Sequence, residues 1–258
     1  MRSFLRNFLL NMLSIGAKPS PFVHILNGHF FEKTESELSE NEFDIFIENL
    51  TSCFNIIGLD EAVTLIAKNI NVDYPKLSLT FDDGFEECYT KMLPVFEKHN
   101  IKATFFINPM SIENHNMEFV SHFIQENLKI DMSKKFMTWN MIREIQSLGH
   151  TIGSHSDSHA NLKGLSSIEL KREIIDSKEA IENATGQACK YFAFPFGNKD
   201  YFDQNSIDVV NSTYQYAFTS GLYGKYFFED NRQILSRRHF ESYWPFEHIK
   251  YFTSRTRV

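Results

Sequence analysis

The stretch that most constrains this chain is LSLTFDDGFEECYTKMLPVFEKHNIKATFFIN, residues 77–108. Leu77 to Phe81 is a short apolar run of β-forming residues that leads directly into two carboxylates and a glycine. Gly84 can take backbone angles closed to other residues, so the chain can turn where the strand ends. Glu86 to Lys98 has the spacing of an amphipathic helix and Ala103 to Ile107 reads as a second buried strand, which makes the whole a βαβ unit. Ligands of such units gather beyond the C-terminal ends of the strands, where Asp82 and Asp83 stand. Consecutive residues leaving a strand point to opposite sides, so the two carboxylates are expected to meet different partners and do different work. Asp-Gly is also ordinary turn and helix-cap chemistry, and taken alone the tripeptide reads as readily that way.

A second segment changes the weighing. Residues 153–159 read GSHSDSH and follow another short apolar strand, Thr151 to Ile152. His155 and His159 are four apart, a spacing that places two imidazoles on one side of a helical turn, where both can reach one cation. A histidine pair by itself is more often polar surface or satisfied core. Together with strand-end aspartates it forms a candidate metal site of two histidines and one carboxylate, with positions open to water and substrate.

With TFDDG and HSDSH in this order, the chain resembles the polysaccharide deacetylases, the NodB-homology group of carbohydrate esterases. The resemblance continues through ATFFIN, MTWNMIREIQSLGHTIGSH, the segment LSSIELKREIIDSKEAIENATG and FAFPFG, and covers roughly residues 22–240. It implies an irregular (β/α)7 barrel in which Asp82 is the catalytic base and Asp83, His155 and His159 hold a metal ion. It also makes Phe196 a wall of the sugar pocket. The family's third motif carries an arginine two residues before its proline; here Ala193 stands at that place before Pro195, so the arginine that orients the base is missing from it. The usual C-terminal Leu-x-His is represented only by His239 in QILSRRHF, at a shifted spacing, and the Asp-Trp motif has no clear counterpart, Trp139 being the nearest candidate. A branch that acts on exopolysaccharides fits these departures better, since it often has a histidine on its first strand. In PFVHIL that histidine is His24.

Taken in order, PFVHIL is the first core strand, followed by a polar loop in which His29 faces solvent, and helices at Glu42 to Leu50 and within GLDEAVTLIAKN. After the βαβ unit, a helix over Met117 to Leu128 is expected above the site as a substrate wall. Thr138 caps a helix ending at Gly149, and Ser166 with Glu169 forms a capping box opening the helix that ends before Gly186. Lys190 to Phe194, Tyr216 to Thr219 and Ile234 to Arg238 supply further strands, with helices at Gln204 to Asn211 and Pro245 to Phe252. Repeated βα order argues for a parallel sheet.

A length of 258 residues and 42% hydrophobic content suit one large α/β domain, assigned to 21–258, preceded by an amphipathic segment over 1–20. The net charge of −7 argues against nonspecific nucleic-acid binding. Cys53, Cys88 and Cys189 are odd in number and widely spaced, which fits a reduced compartment and neither a disulfide framework nor a thiolate zinc site. In the first 17 residues Arg6, Asn7 and Asn11 interrupt the apolar centre a signal peptide needs, while Phe4, Phe8, Met12 and Ile15 fall at helical spacing. Docking onto the barrel and peripheral membrane contact are the two readings of that helix, and both place the protein in the cytoplasm or at the inner face of a membrane.

The expected activity is metal-dependent removal of N-acetyl groups from a sugar of a surface glycan or its precursor. One divalent ion is expected, zinc first, with cobalt, nickel and iron as alternatives. Asp82 takes a proton from water, and the departing amine receives one from His24, which strand 1 brings near the DDG strand; His239 ranks second and His248, on a surface helix, third. A carbohydrate-binding member with little turnover and a small-molecule amidase on the same fold are the competing functions.

Overall fold

In a computed structural model, residues 10, 12–29, 31, 40–114, 116–130, 133–220, 225–229 and 231–255 are described. Nine strands join one sheet: β1 (Val23–Gly28), β2 (Asn55–Ile56), β3 (Lys76–Phe81), β4 (Thr104–Ile107), β5 (Thr151–Ser154), β6 (Tyr191–Ala193), β7 (Tyr216–Ser220), β8 (Phe227–Phe228) and β9 (Asn231–His239). Seven of them run parallel in the order β1, β3, β4, β5, β6, β7, β9, and β9 pairs back to β1 through Leu26↔Arg238 and Asn27↔His239. The sheet is therefore a closed barrel. The short β2 adds to β3, and β8 pairs antiparallel with β9.

Side chains alternate across each strand, and that period of two sorts the core. Val23 and Ile25 of β1, Phe106 of β4, Tyr191 and Ala193 of β6, Phe218 of β7 and Leu235 of β9 form an inner cluster that also takes in Leu59, Ala62, Val63 and Ile66 of the helix Leu59–Ala67. The opposite faces, including Leu26, Leu77 and Leu79, join the larger layer beneath the surrounding helices. Burying this much apolar surface at roughly 25 cal/mol per Å² is the main drive to this fold.

Most expected helices form within a few residues of their assigned ends: Glu40–Cys53, Leu59–Ala67, Trp139–Ser147, Gln204–Thr213 and Phe246–Thr253. The helix after DDG begins at Glu86 as expected, passes through one wide π turn at Cys88–Met92 and ends as Leu93–Lys98. Ser166 makes both halves of its capping box, and Thr138 accepts from the Met141 amide. Of the terminal segment, Phe4 and Phe8 lie outside the described residues, as does much of the polar loop after β1. Met12 and Ile15 are exposed, at 54% and 76%, so these two do not dock on the barrel. No helix among the described residues is long and apolar enough to cross a membrane.

Candidate active site and metal centre

The site lies where β3 ends. The register Gly28↔Phe81 aligns the exits of β1 and β3, and the Asp82 amide donates to the Gly28 carbonyl at 2.9 Å. Asp83 and Gly84 then both adopt left-handed backbone, with φ of 74° and 73°. A Cβ at Gly84 would come within 3.1 Å of the Ile107 side chain, so the turn favours glycine for both conformation and space. This turn separates the two carboxylates, as their adjacent positions led one to expect.

Asp82 is buried and receives a two-pronged hydrogen bond from Arg237, Nη1 to Oδ1 at 2.7 Å and Nη2 to Oδ2 at 2.8 Å. Arg237 also donates to Thr80 Oγ1 at 2.9 Å and lies against the Phe106 ring. It reaches Asp82 because the inward row of β9 runs Leu235, Arg237, His239. Burial alone would raise the Asp82 pKa; the Arg237 charge, with His155 and His29 nearby, outweighs it and holds the carboxyl well below the usual range. An arginine paired with Asp82 is thus present in the fold, supplied from β9 and not from the segment before Pro195. That corrects the reading of a missing arginine.

Asp83 Oδ1 points the other way, 3.7 Å from both His155 Nε2 and His159 Nε2. Each imidazole uses its other nitrogen on a backbone carbonyl: His155 Nδ1 donates to Ala193 at 2.8 Å and His159 Nδ1 to Asn127 at 3.0 Å. A carbonyl can only accept, so both Nε2 atoms carry lone pairs aimed at the same point as the Asp83 oxygen. The histidines do not converge on a helical turn, as their spacing suggested. They follow β5 in a loop with φ of 63° at Ser156 and 55° at His159. Glu173 pins this loop by accepting from the Ser158 amide at 2.9 Å and hydroxyl at 2.8 Å.

This arrangement fits a divalent cation. Asp83 Oδ1 is buried and accepts no hydrogen bond, and burial, with the charges of Asp82 and Glu241 nearby, pushes the carboxyl up to about 7. Burial likewise lowers His155 to about 4 and His159 well below its ordinary value, keeping both imidazoles in the neutral form a metal needs. A cation among them would satisfy the buried carboxylate and both lone pairs at once.

A third group stands beside Asp82. His29 is half-buried, its Nε2 3.9 Å from Asp82 Oδ2 and its Nδ1 3.1 Å from Glu241 Oε1, while Glu241 Oε2 accepts from the His29 amide at 3.3 Å. Burial alone would lower its pKa; the Glu241 hydrogen bond and the surrounding carboxylates raise it to about 9. His29 therefore belongs to the site and does not simply face solvent. Its signal was available: it sits one residue past β1, in register with Asp82.

His24 is not part of this group. It pairs with Leu77 at the far end of β3, five residues before Asp82, about 16 Å away at the usual strand rise. It also lies on the outward face of β1, edge-on to Phe54, with Nε2 donating to the Ser20 carbonyl at 3.0 Å. The expectation that it donates the proton is corrected by both strand polarity and strand parity. His248 is buried against Trp244 instead of standing on a surface helix, and Trp139 packs beside the core.

The groups open into a cleft of about 510 Å³. Phe196 lines it in a left-handed conformation, φ 61°, with its ring 4.5 Å from that of His159. Leu128, the last residue of the helix expected there, and Ile130 form another wall, just past the observed helical turn Phe123–Asn127. Tyr243 and His239 complete the side toward β9.

Residues 69–217 match the family model described as polysaccharide deacetylase. The chain belongs to the polysaccharide deacetylase family. A peptidoglycan-N-acetylglucosamine deacetylase of Bacillus cereus is 32% identical over 123 residues, 47% of this chain and 36% of that protein. The chain spans well under half the length of the first curated relatives it matches. Among solved structures, IcaB from Ammonifex degensii superposes with a TM-score of 0.71 at 16% identity, over 92% of this chain and 99% of that one. Streptococcus pyogenes deacetylase PplD, in complex with acetate, gives 0.70 at 16% identity with the same coverage. These likenesses establish the fold as the irregular (β/α)7 barrel of the NodB-homology type.

Proposed function

We propose that this protein is a metal-dependent N-deacetylase that hydrolyses the acetamide of a sugar in a surface glycan or its precursor, an N-acetylhexosamine of the kind for which the Bacillus cereus relative is named. The observation that carries this reading is a cation-shaped set, Asp83, His155 and His159, with two groups in opposite protonation states beside it. Arg237 holds the Asp82 carboxyl ionised and Glu241 holds the His29 imidazole protonated, and Asp82 Oδ2 is 3.9 Å from His29 Nε2 and 4.0 Å from His155 Nε2.

Asp83, His155 and His159 would hold one divalent ion, zinc by its mixed nitrogen and oxygen donors, supplying Lewis acidity toward water and the acetyl carbonyl. Asp82 accepts the proton of the attacking water; Arg237 fixes its two oxygens and keeps it ionised. His29 gives a proton to the departing amine nitrogen and is recharged from solvent through the open cleft. Glu241 stabilises the imidazolium and fixes the ring, the part a carboxylate plays beside a catalytic histidine. Phe196, Leu128 and Ile130 offer apolar walls for the acetyl methyl and a sugar face.

Acetate release from N-acetylglucosamine oligomers tests this reading. Release that a chelator abolishes and zinc restores is the expected result. Retention of oligomers by a metal-loaded protein without acetate would make it a binding module. Acetate from small acetamides alone would make it a small-molecule amidase.

A further inference from the structure

The site contains a second set of two imidazoles and a carboxylate. One ring nitrogen of His29, one of His239 and a Glu241 oxygen all lie within 4.8 Å of one another. Glu241 Oε1 sits between the rings, 3.1 Å from His29 Nδ1 and 3.4 Å from His239 Nε2. The set is built into barrel closure: Asn27 pairs with His239, and the Phe240 amide donates to the Asn27 carbonyl at 3.0 Å, so the exit of β1 is held against that of β9. Glu241 is buried, whereas the side chains of His29 and His239 are 24% and 38% exposed. An ion can therefore enter from the cleft and find the carboxylate already in place.

We propose that His29, His239 and Glu241 form a second divalent-cation site, distinct from Asp83, His155 and His159, whose occupation inhibits the enzyme. Its donor set of two nitrogens and one oxygen suits zinc, as the first does. Both sites border Asp82, whose Oδ2 is 3.9 Å from His29 Nε2 and 4.0 Å from His155 Nε2. Binding here requires the Nδ1 lone pair of His29, so Nδ1 releases its proton to solvent as the ion binds. The remaining Nε2–H belongs to a coordinated imidazole and is a weaker acid than the imidazolium it replaces, and the Glu241 oxygen that accepted from Nδ1 serves the ion instead. The inhibitory part rests on His29 acting as the proton donor; the binding part does not.

The test is zinc titration of the chelator-stripped full chain, read by elemental analysis and calorimetry, with acetate release followed in parallel. Two ions per wild-type chain are expected, one in His239→Ala or Glu241→Gln, and one in His155→Ala. Turnover should peak with the first ion and fall at least tenfold with the second, and His239→Ala should lose that inhibition, to less than twofold. A single ion in wild type and none in His155→Ala would overturn the site. So would two ions retained in both His239→Ala and Glu241→Gln. A second ion that binds without inhibition would overturn the inhibitory role. A chain with no acetamide turnover would instead count against the proposed function, while the stoichiometry still decides the site.

Discussion

Two histidines on either end of the same strand differ in almost every property that matters for chemistry. His24 opens β1 on its outward face, pressed on Phe54, with a carbonyl as partner and its pKa lowered to about 4, by burial first. His29 follows the exit of β1, faces Glu241 and Asp82, and is raised to about 9. The lower end of the barrel is an apolar layer sealed by the helix Leu59–Ala67; the upper end collects carboxylates, imidazoles and one guanidinium. Parallel strands all leave at one end, so their exits pool side chains from distant parts of the chain, whereas their starts are free to become core.

Substitutions at the two ends should separate accordingly. The largest effect is expected at Asp82: Asp82→Asn should retain its metal yet lose roughly 10²- to 10⁴-fold in turnover, the scale of general-base catalysis. Acetate release and metal content, measured on the same preparation, check this. Loss of metal with turnover would make Asp82 a ligand and erase the division of labour between the aspartates.

Next is Arg237, wholly buried and paired with Asp82. Arg237→Ala leaves a buried carboxylate without its partner, a change worth about 3–5 kcal/mol of stability, readable by denaturant titration at pH 7. In the Asp82→Asn background the loss should shrink, because the stranded charge is gone. An unchanged loss in both backgrounds would make Arg237 a packing residue held by Phe106 and Phe218.

The smallest effect belongs to the lower end. The folded-state pKa of His24 is below the unfolded value, so the unfolded chain binds the extra proton between pH 6.5 and 4, and stability falls as pH is lowered through that window. The contribution is on the order of 3 kcal/mol across it. His24→Gln should flatten that part of the stability profile while changing acetate release less than about twofold; an unchanged profile would mean His24 titrates normally.

The division between the ends also explains what could be read from sequence. TFDDG and HSDSH are local motifs, each packed into a few residues, and the βα alternation follows from periodicity, so the parallel sheet, the carboxylate pair and the histidine pair that faces Asp83 were legible, with barrel closure implied by the resemblance. Arg237 was not, because its role depends on barrel closure. Only when β9 pairs with β1 does the inward row Leu235, Arg237, His239 approach a turn some 155 positions earlier. A trace of this was present: two consecutive arginines in SRRH guarantee that one faces inward on any strand, and a charge inside a barrel needs a buried partner. His24 misled because the residue on the strand drew attention from the one just beyond it. Strand direction, with the register Gly28↔Phe81, favours the latter.

The most direct test compares leaving groups in His29→Ala and His24→Ala. Each variant is assayed on an N-acetylated sugar, whose amine must be protonated to depart, and on an activated acetyl ester, whose leaving group needs no proton. His29→Ala should keep its catalytic metal at Asp83, His155 and His159, lose roughly 10²-fold or more on the amide, and lose less than about tenfold on the ester. His24→Ala should change both rates alike and by only a few-fold. Equal losses on both substrates in His29→Ala, or an amide-selective loss in His24→Ala, would contradict the placement of the proton donor at the upper end of the barrel.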